Sequence, residues 1–330
     1  MVRWQTSSGG SADSESLAAQ RLRYTFPTVA RVRKIAGWTI GTLLLVGGVT
    51  VGRVTYTEAH RLLNNPVSTR LVSNKIPWDE PWRLPYNDVT VTSSDGTKLR
   101  GWYVPAEGSK LILVQHGYKD RLQSMLGVAS VLHRHGYQVL LMCVRGHDRS
   151  EGTMLSFGQR EMPDMEAWAA FAEKQPGVDP TKVGMFGVSM GGSLAVQYTA
   201  SHPDVRALVV DSAFSSLNDT IDTSIRFFTG LPPFPFAPMI RFWAEREGGF
   251  PAANVDAKQW IDKISPRPVL IMQGGADQIV SKESGRRLFD AADDPKEFWY
   301  EKSVGHGQFL KMMPEEFERR VVGFFDANIR

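Results

Sequence analysis

Three residue types that can together move an acyl group lie far apart in this 330-residue chain, and in a definite order. Gly187-Val188-Ser189-Met190-Gly191 sets a serine between two glycines. The residues before it, Lys182 to Phe186, are apolar and strand-like. Those after it, Gly192 to His202, read as a helix stopped by Pro203. Ser189 therefore sits at a sharp strand-to-helix turn that pushes its hydroxyl outward. A serine hydroxyl is a weak nucleophile near neutral pH, so it needs a base, and the base needs a third group to fix its tautomer. Asp277 follows the apolar run Arg267–Gln273, and His306 follows the run Glu297–Glu301. Serine, then acid, then histidine, each just after a strand, is an order that supports attack on an ester-type carbonyl.

An oxyanion formed in that attack needs two fixed donors. The backbone N–H of Met190, at the start of the helix, is the first candidate. The N–H of Tyr118, just past His116-Gly117, is the second. Gly187 and Gly191 lack Cβ atoms, which lets strand and helix close on each other. His116 precedes the serine and reads as a structural residue of its loop. Asp211, also at a strand end, is the second candidate acid, whereas Asp256 and Asp262 follow no strand. Taken singly, Asp277 also fits a helix cap near Ser281 and His306 an exposed loop residue.

The elements that must position these groups begin near Tyr86. Asp88 to Pro105 is two alternating runs about Asp95-Gly96, a hairpin signal. Apolar strands follow at 110–116, 137–144, 183–186, 206–211 and 267–273, with a last strand at 297–301. Helices are expected at 122–135, 161–174, 281–291 and 314–327. Alternation of this kind builds a mostly parallel sheet covered by helices on both faces. The strands' C-terminal ends then share one edge, which is where such sheets bind ligands.

With these residues in place, 86–330 resembles an α/β-hydrolase fold serine hydrolase. The resemblance rests on His116-Gly117-Tyr118, the Ser189 pentapeptide, Asp277 and His306. Arg145 to Gly152 is similar to the R-G-x-G-x-S-x-G loop of that family, but His147 and Asp148 leave no glycine at its middle position. Asp211 to Ser216 and the proline-rich stretch beyond resemble the membrane-anchored BEM46-like branch, the alpha/beta hydrolase domain-containing 13 type. The resemblance implies a Ser189–His306–Asp277 triad acting through an acyl enzyme on a small-molecule acyl ester. Thioester and peptide bonds, and a non-catalytic membrane scaffold, remain the other readings. A serine nucleophile speaks against dehalogenase and epoxide hydrolase chemistry.

Composition is ordinary for a globular chain, at 22% charged and 42% hydrophobic residues. A formal net charge of +3, spread along the sequence, gives no reason to expect a nucleic-acid partner. Cys143 is the one cysteine, so no intrachain disulfide forms. No cofactor or metal motif is present. Ile35 to Gly52 is an 18-residue uncharged stretch behind Arg21, Arg23, Arg31, Arg33 and Lys34. Its length reaches the lower bound for a membrane helix, and the basic excess before it puts the N-terminus in the cytoplasm and the body on the opposite face. A cleaved signal and a buried helix are the competing readings. The expected organisation is a disordered basic cytoplasmic tail over 1–34, a single-pass transmembrane helix over 35–53, a connector over 54–85, and the α/β domain over 86–330. A cap insertion at about 214–266 follows the sixth strand, and Phe234 and Phe236 in it are expected to line an acyl pocket.

Overall fold

A computed structural model describes residues 29–330. The expected tail over 1–34 lies mostly outside the described residues. The chain divides between Val51 and Gly52 into two units. The first unit is the leading part of helix α1 (Val29–Leu63), which starts before the expected residue 35 and runs past 53. Its apolar side chains are exposed, Trp38 by 80% and Leu44 by 71%. Its threonines hide their hydroxyls: Thr39, Thr42 and Thr50 donate to the carbonyls of Ile35, Trp38 and Val46 at 2.8–2.9 Å. A helix whose polar side chains are satisfied within itself suits a medium without water. Among the described residues α1 is the one helix long and apolar enough to cross a membrane.

In the second unit, hairpin strands β1 (Asn87–Thr92) and β2 (Lys98–Val104) lead into β3 (Leu111–Gln115). Helix α2 (Leu126–Arg134), β4 (Gln138–Met142), α3 (Met162–Ala172), β5 (Val183–Val188), α4 (Met190–Ser201) and β6 (Val205–Asp211) follow. Between β6 and β7 (Val269–Gly274) lie α5 (Leu217–Thr229), α6 (Pro233–Gly248) and the short α7 (Lys258–Ile261). Helix α8 (Ser284–Ala291), β8 (Lys296–Glu301), the short α9 (Phe309–Met312) and α10 (Pro314–Asn328) complete the chain. The eight strands form one sheet in the order β1-β2-β4-β3-β5-β6-β7-β8. Pairing is parallel from β4 through β8 and antiparallel at β1–β2 and β2–β4. This is the mostly parallel sheet that the alternating elements predict and the α/β-hydrolase architecture that the resemblance implies.

The central strands are buried on both faces, which is why they read as unbroken apolar runs. Along β3, Leu111 and Leu113 pack into one buried cluster, Ile112 and Val114 into another. Alternation along the strand thus feeds two cores, one per face. The chain leaves β3 toward β4 on one side and returns to β5 on the other. That reversal opens a crevice beyond the C-terminal ends of β3 and β5. Gly117 follows β3, Ser189 follows β5, Asp277 follows β7 and His306 follows β8, so all four share this edge.

Candidate active site

The turn at Ser189 is built by the glycines around it. Ser189 has φ 56° and ψ −122°, a conformation that costs a residue with a Cβ on the order of 1–3 kcal/mol. A Cβ on Gly187 would lie 2.4 Å from the Gly191 carbonyl oxygen. One on Gly191 would lie 2.4 Å from the His116 carbonyl oxygen and 2.5 Å from that of Gln115. Neither gap admits a carbon atom. The Ser189 N–H is fixed separately, donating to the Asp211 carbonyl at 2.9 Å. Met190 opens α4, so its N–H has no acceptor within the helix.

His306 and Asp277 are joined, Nδ1 to Oδ2, at 2.7 Å. The Asp277 side chain is fully buried, and its other oxygen accepts from the N–H groups of Ile279 and Val280 at 2.9 Å each. A carboxylate held by two backbone donors presents its remaining oxygen in one direction only. The imidazole and the Ser189 hydroxyl open on the same cavity. Among the described residues no hydrogen bond within 3.5 Å joins that hydroxyl to the ring. Catalytic contacts of this kind commonly tighten only when substrate is bound.

The loop after β3 lies against Ser189: a Cβ on Gly117 would sit 3.3 Å from the Ser189 Cβ. Two buried histidines hold this loop. His116 Nδ1–H donates to the Gly117 carbonyl at 2.8 Å. His147 Nδ1–H donates to the Arg145 carbonyl at 2.8 Å, which leaves its Nε2 to accept the Lys119 N–H at 3.0 Å. Burial pushes both rings' pKa down, His147 the further because His116 lies beside it. Both rings therefore stay neutral, and a neutral His147 is what accepting from Lys119 demands. The sequence marked His147 only as a departure from a glycine-containing loop. Its neighbour Asp148 is also buried, and its carboxylate accepts from Ser73 N and Leu122 N at 3.2 and 3.0 Å. The two non-glycine residues thus anchor the chain at Lys119, Leu122 and Ser73.

A further support was not legible in the sequence. Asp211 does not touch His306 directly. Instead the Ser212 hydroxyl donates to Asp211 at 2.8 Å and accepts the Gly307 N–H at 3.0 Å. The residue after the candidate base is thereby tied to the end of β6. Burial raises the Asp211 carboxyl to about 7, against the opposing pull of the Ser212 hydrogen bond and of His306. Asp211 is a scaffold of the histidine loop, and Asp277 is the acid that reaches the imidazole.

The cavity over these groups has a volume of about 710 Å³. Its walls are mostly apolar, with Leu217, Ile221, Ile225 and Phe228 from α5 and Ile240 from α6. Glu58, Arg61, Lys119 and Asp120 supply the charges in the lining. Phe234 and Phe236 do not line it, which corrects the expectation from sequence. Phe234 has non-helical dihedrals at the kinked start of α6 and is 81% exposed, while Phe236 packs on the core. The proline-rich start of α6 turns these rings away, and the amphipathic α5 supplies the wall in their place. No group of three His, Cys, Asp or Glu side chains among the described residues could hold a metal ion.

Comparison with known proteins agrees with this architecture. A family described as "Serine aminopeptidase, S33" matches residues 106–235. The uncharacterized Mycobacterium tuberculosis protein Rv2307c is 31% identical over 240 residues, covering 71% of this chain and 75% of its own. The Arabidopsis thaliana alpha/beta hydrolase domain-containing protein WAV2 is 24% identical, covering 74% and 80%. Among solved structures, the Pyrococcus furiosus esterase Pf2001 superposes with a TM-score of 0.69 at 25% identity, covering 82% of this chain and 99% of its own. The chain belongs to the α/β-hydrolase family.

Proposed function

We propose that the protein is a membrane-anchored serine hydrolase, carboxylesterase- or lipase-like, that cleaves acyl esters through a Ser189–His306–Asp277 triad. The observation that carries this reading is the strained serine at the floor of an apolar cavity, with a carboxylate-held imidazole opening on that cavity. In the first step His306 takes the Ser189 proton as the hydroxyl attacks the ester carbonyl. Asp277 stabilises the imidazolium formed. The N–H groups of Met190 and Tyr118 receive the oxyanion, each worth on the order of 3 kcal/mol of barrier. His306 then protonates the departing alkoxide, and water, activated by the same ring, releases the acid.

The family match described as an aminopeptidase supports a second reading, hydrolysis of an aminoacyl amide. Such a substrate carries a free ammonium that needs an unpaired carboxylate. Of the two carboxylates in the lining, Glu58 is already paired with Arg61 at 2.7 Å, whereas Asp120 accepts only the Arg121 backbone N–H at 2.8 Å and is the group that would meet such an ammonium. The mostly apolar α5 wall favours the ester. A panel of p-nitrophenyl esters of rising chain length, set against aminoacyl p-nitroanilides, tests it. Faster turnover of the anilides would refute the ester assignment, and no turnover of either would return the scaffold reading. The anchor is assigned to α1, with the N-terminus cytoplasmic, from its apolar length and the basic residues before it.

A further inference from the structure

Helix α1 does not stop where its apolar stretch ends. The stretch closes at Gly52, yet the helix runs on to Leu63. At about 1.5 Å per residue, Glu58 lies about 9 Å and Leu62 about 15 Å beyond that point. The headgroup layer on each side of a bilayer is roughly 5–8 Å thick. Glu58, Arg61 and Leu62 nevertheless line the same cavity as Ser189 and His306. The free carbonyls at this helix end are met from inside the site. Tyr118 Oη–H donates to the Leu62 carbonyl at 2.8 Å, and the Lys119 ammonium donates to that of Arg61. The two residues that follow Gly117 in the oxyanion loop thus cap the continuation of the apolar helix.

The cap meets the same turns. The Tyr56 ring lies edge-on to Trp243 of α6, with centroids 5.6 Å apart, and Trp243 lies edge-on to Phe242 at 5.1 Å. His60 pairs with Glu247 at 2.7 Å. On the cap Phe227, Phe234 and Phe242 are exposed, and Phe228 lies at once exposed and on the cavity wall. Exposed Phe side chains, like Trp and Leu, bury themselves at the boundary between headgroups and acyl chains. Their occupant here follows from chain continuity, because Tyr56 stands only four residues beyond the end of the apolar stretch.

We infer that the turn of α1 at Tyr56 and the exposed cap aromatics form a bilayer-contacting surface, and that the cavity, opening just beyond the lipid headgroup layer, draws acyl amphiphiles from it. This deepens the ester-hydrolase reading and rests on it for the reaction. A single-chain amphiphile places its acyl group along the α5 wall and its polar end beside the Glu58–Arg61 pair. A bilayer-resident substrate then reaches the site without crossing bulk water.

The test uses the full chain in phosphatidylcholine vesicles. Cys143 is buried, so Phe234→Cys offers one accessible thiol for an environment-sensitive fluorophore. Lipids brominated on the acyl chains quench that label about threefold more than one at Glu315→Cys, on the exposed first turn of α10. Equal quenching overturns the surface. In the second arm Phe227, Phe234 and Phe242, none of which lines the cavity, are all changed to serine. Hydrolysis of water-soluble p-nitrophenyl butyrate stays within about twofold, while that of vesicle-embedded p-nitrophenyl palmitate falls at least about tenfold. Unchanged rates on both esters, or an equal fall on both, overturn the entry route. Preferential quenching at residue 234 with no turnover of either ester by the unmodified chain brings down the hydrolase reading and leaves the membrane surface standing.

Discussion

Asp211→Asn separates the support of the histidine loop from the chemistry. The wild-type carboxyl is fully buried and raised to about 7, chiefly because burial penalises its charged form. In the unfolded chain the same group releases its proton near 4. Between pH 5 and 8 the folded protein therefore holds a proton that the unfolded chain has already lost, and stability falls as pH rises. The displacement from 3.8 to about 7 corresponds to roughly 4 kcal/mol in all, of which about 2.6 kcal/mol falls between pH 5 and 8. Asparagine keeps an oxygen for the Ser212 hydroxyl and does not titrate. The stability of the variant relative to wild type should thus rise by about 2–3 kcal/mol from pH 5 to pH 8, or roughly 5 °C in melting temperature for a chain of this size. Thermal melts of both proteins in the same detergent at pH 5, 6, 7 and 8 give the double difference, in which every other titrating group cancels. A difference that stays flat across this range would refute the assignment of a proton to Asp211.

Three other perturbations follow from the geometry. His147→Ala frees the Lys119 N–H and loosens the loop bearing Tyr118, so kcat should fall roughly tenfold to hundredfold while KM changes little; steady-state kinetics on one ester would show it. Gly191→Ala sets a Cβ within 2.5 Å of two carbonyl oxygens, so fluorophosphonate labelling of Ser189 should be lost even where soluble protein is recovered. Asp164→Asn breaks the buried pair with Arg145, whose charge is held up first by its hydrogen bonds to Asp164; a loss of about 3 kcal/mol is expected in denaturant titration, with the active-site chemistry of any folded fraction intact.

The alternation of apolar runs with helical stretches placed the central strands, because strands buried on both faces leave an unmistakable mark, and the Asp95-Gly96 turn placed the exposed hairpin. The residues at the strand ends were equally legible, since Ser189, Asp277 and His306 each follow such a run. What the sequence hid was contact across the fold. Nothing near Ser212 announces that its hydroxyl meets Gly307, and nothing near Tyr118 announces that its phenol caps α1. The cap misled for a related reason. Its aromatic density at Phe234 and Phe236 suggested a pocket wall, but the start of α6 is non-helical at Phe234, and the ring lies in the open. The periodic Leu217, Ile221 and Ile225 of α5 were the better signal, with i, i+4 spacing facing one side.

The central claim is that Ser189 is a nucleophile activated by His306. Membranes carrying the full chain, treated with a fluorophosphonate probe, test it most directly. Labelling should be present in the wild type, absent in Ser189→Ala and slowed by orders of magnitude in His306→Ala. Labelling of the wild type that persists in Ser189→Ala, or that proceeds at the same rate without His306, would contradict it.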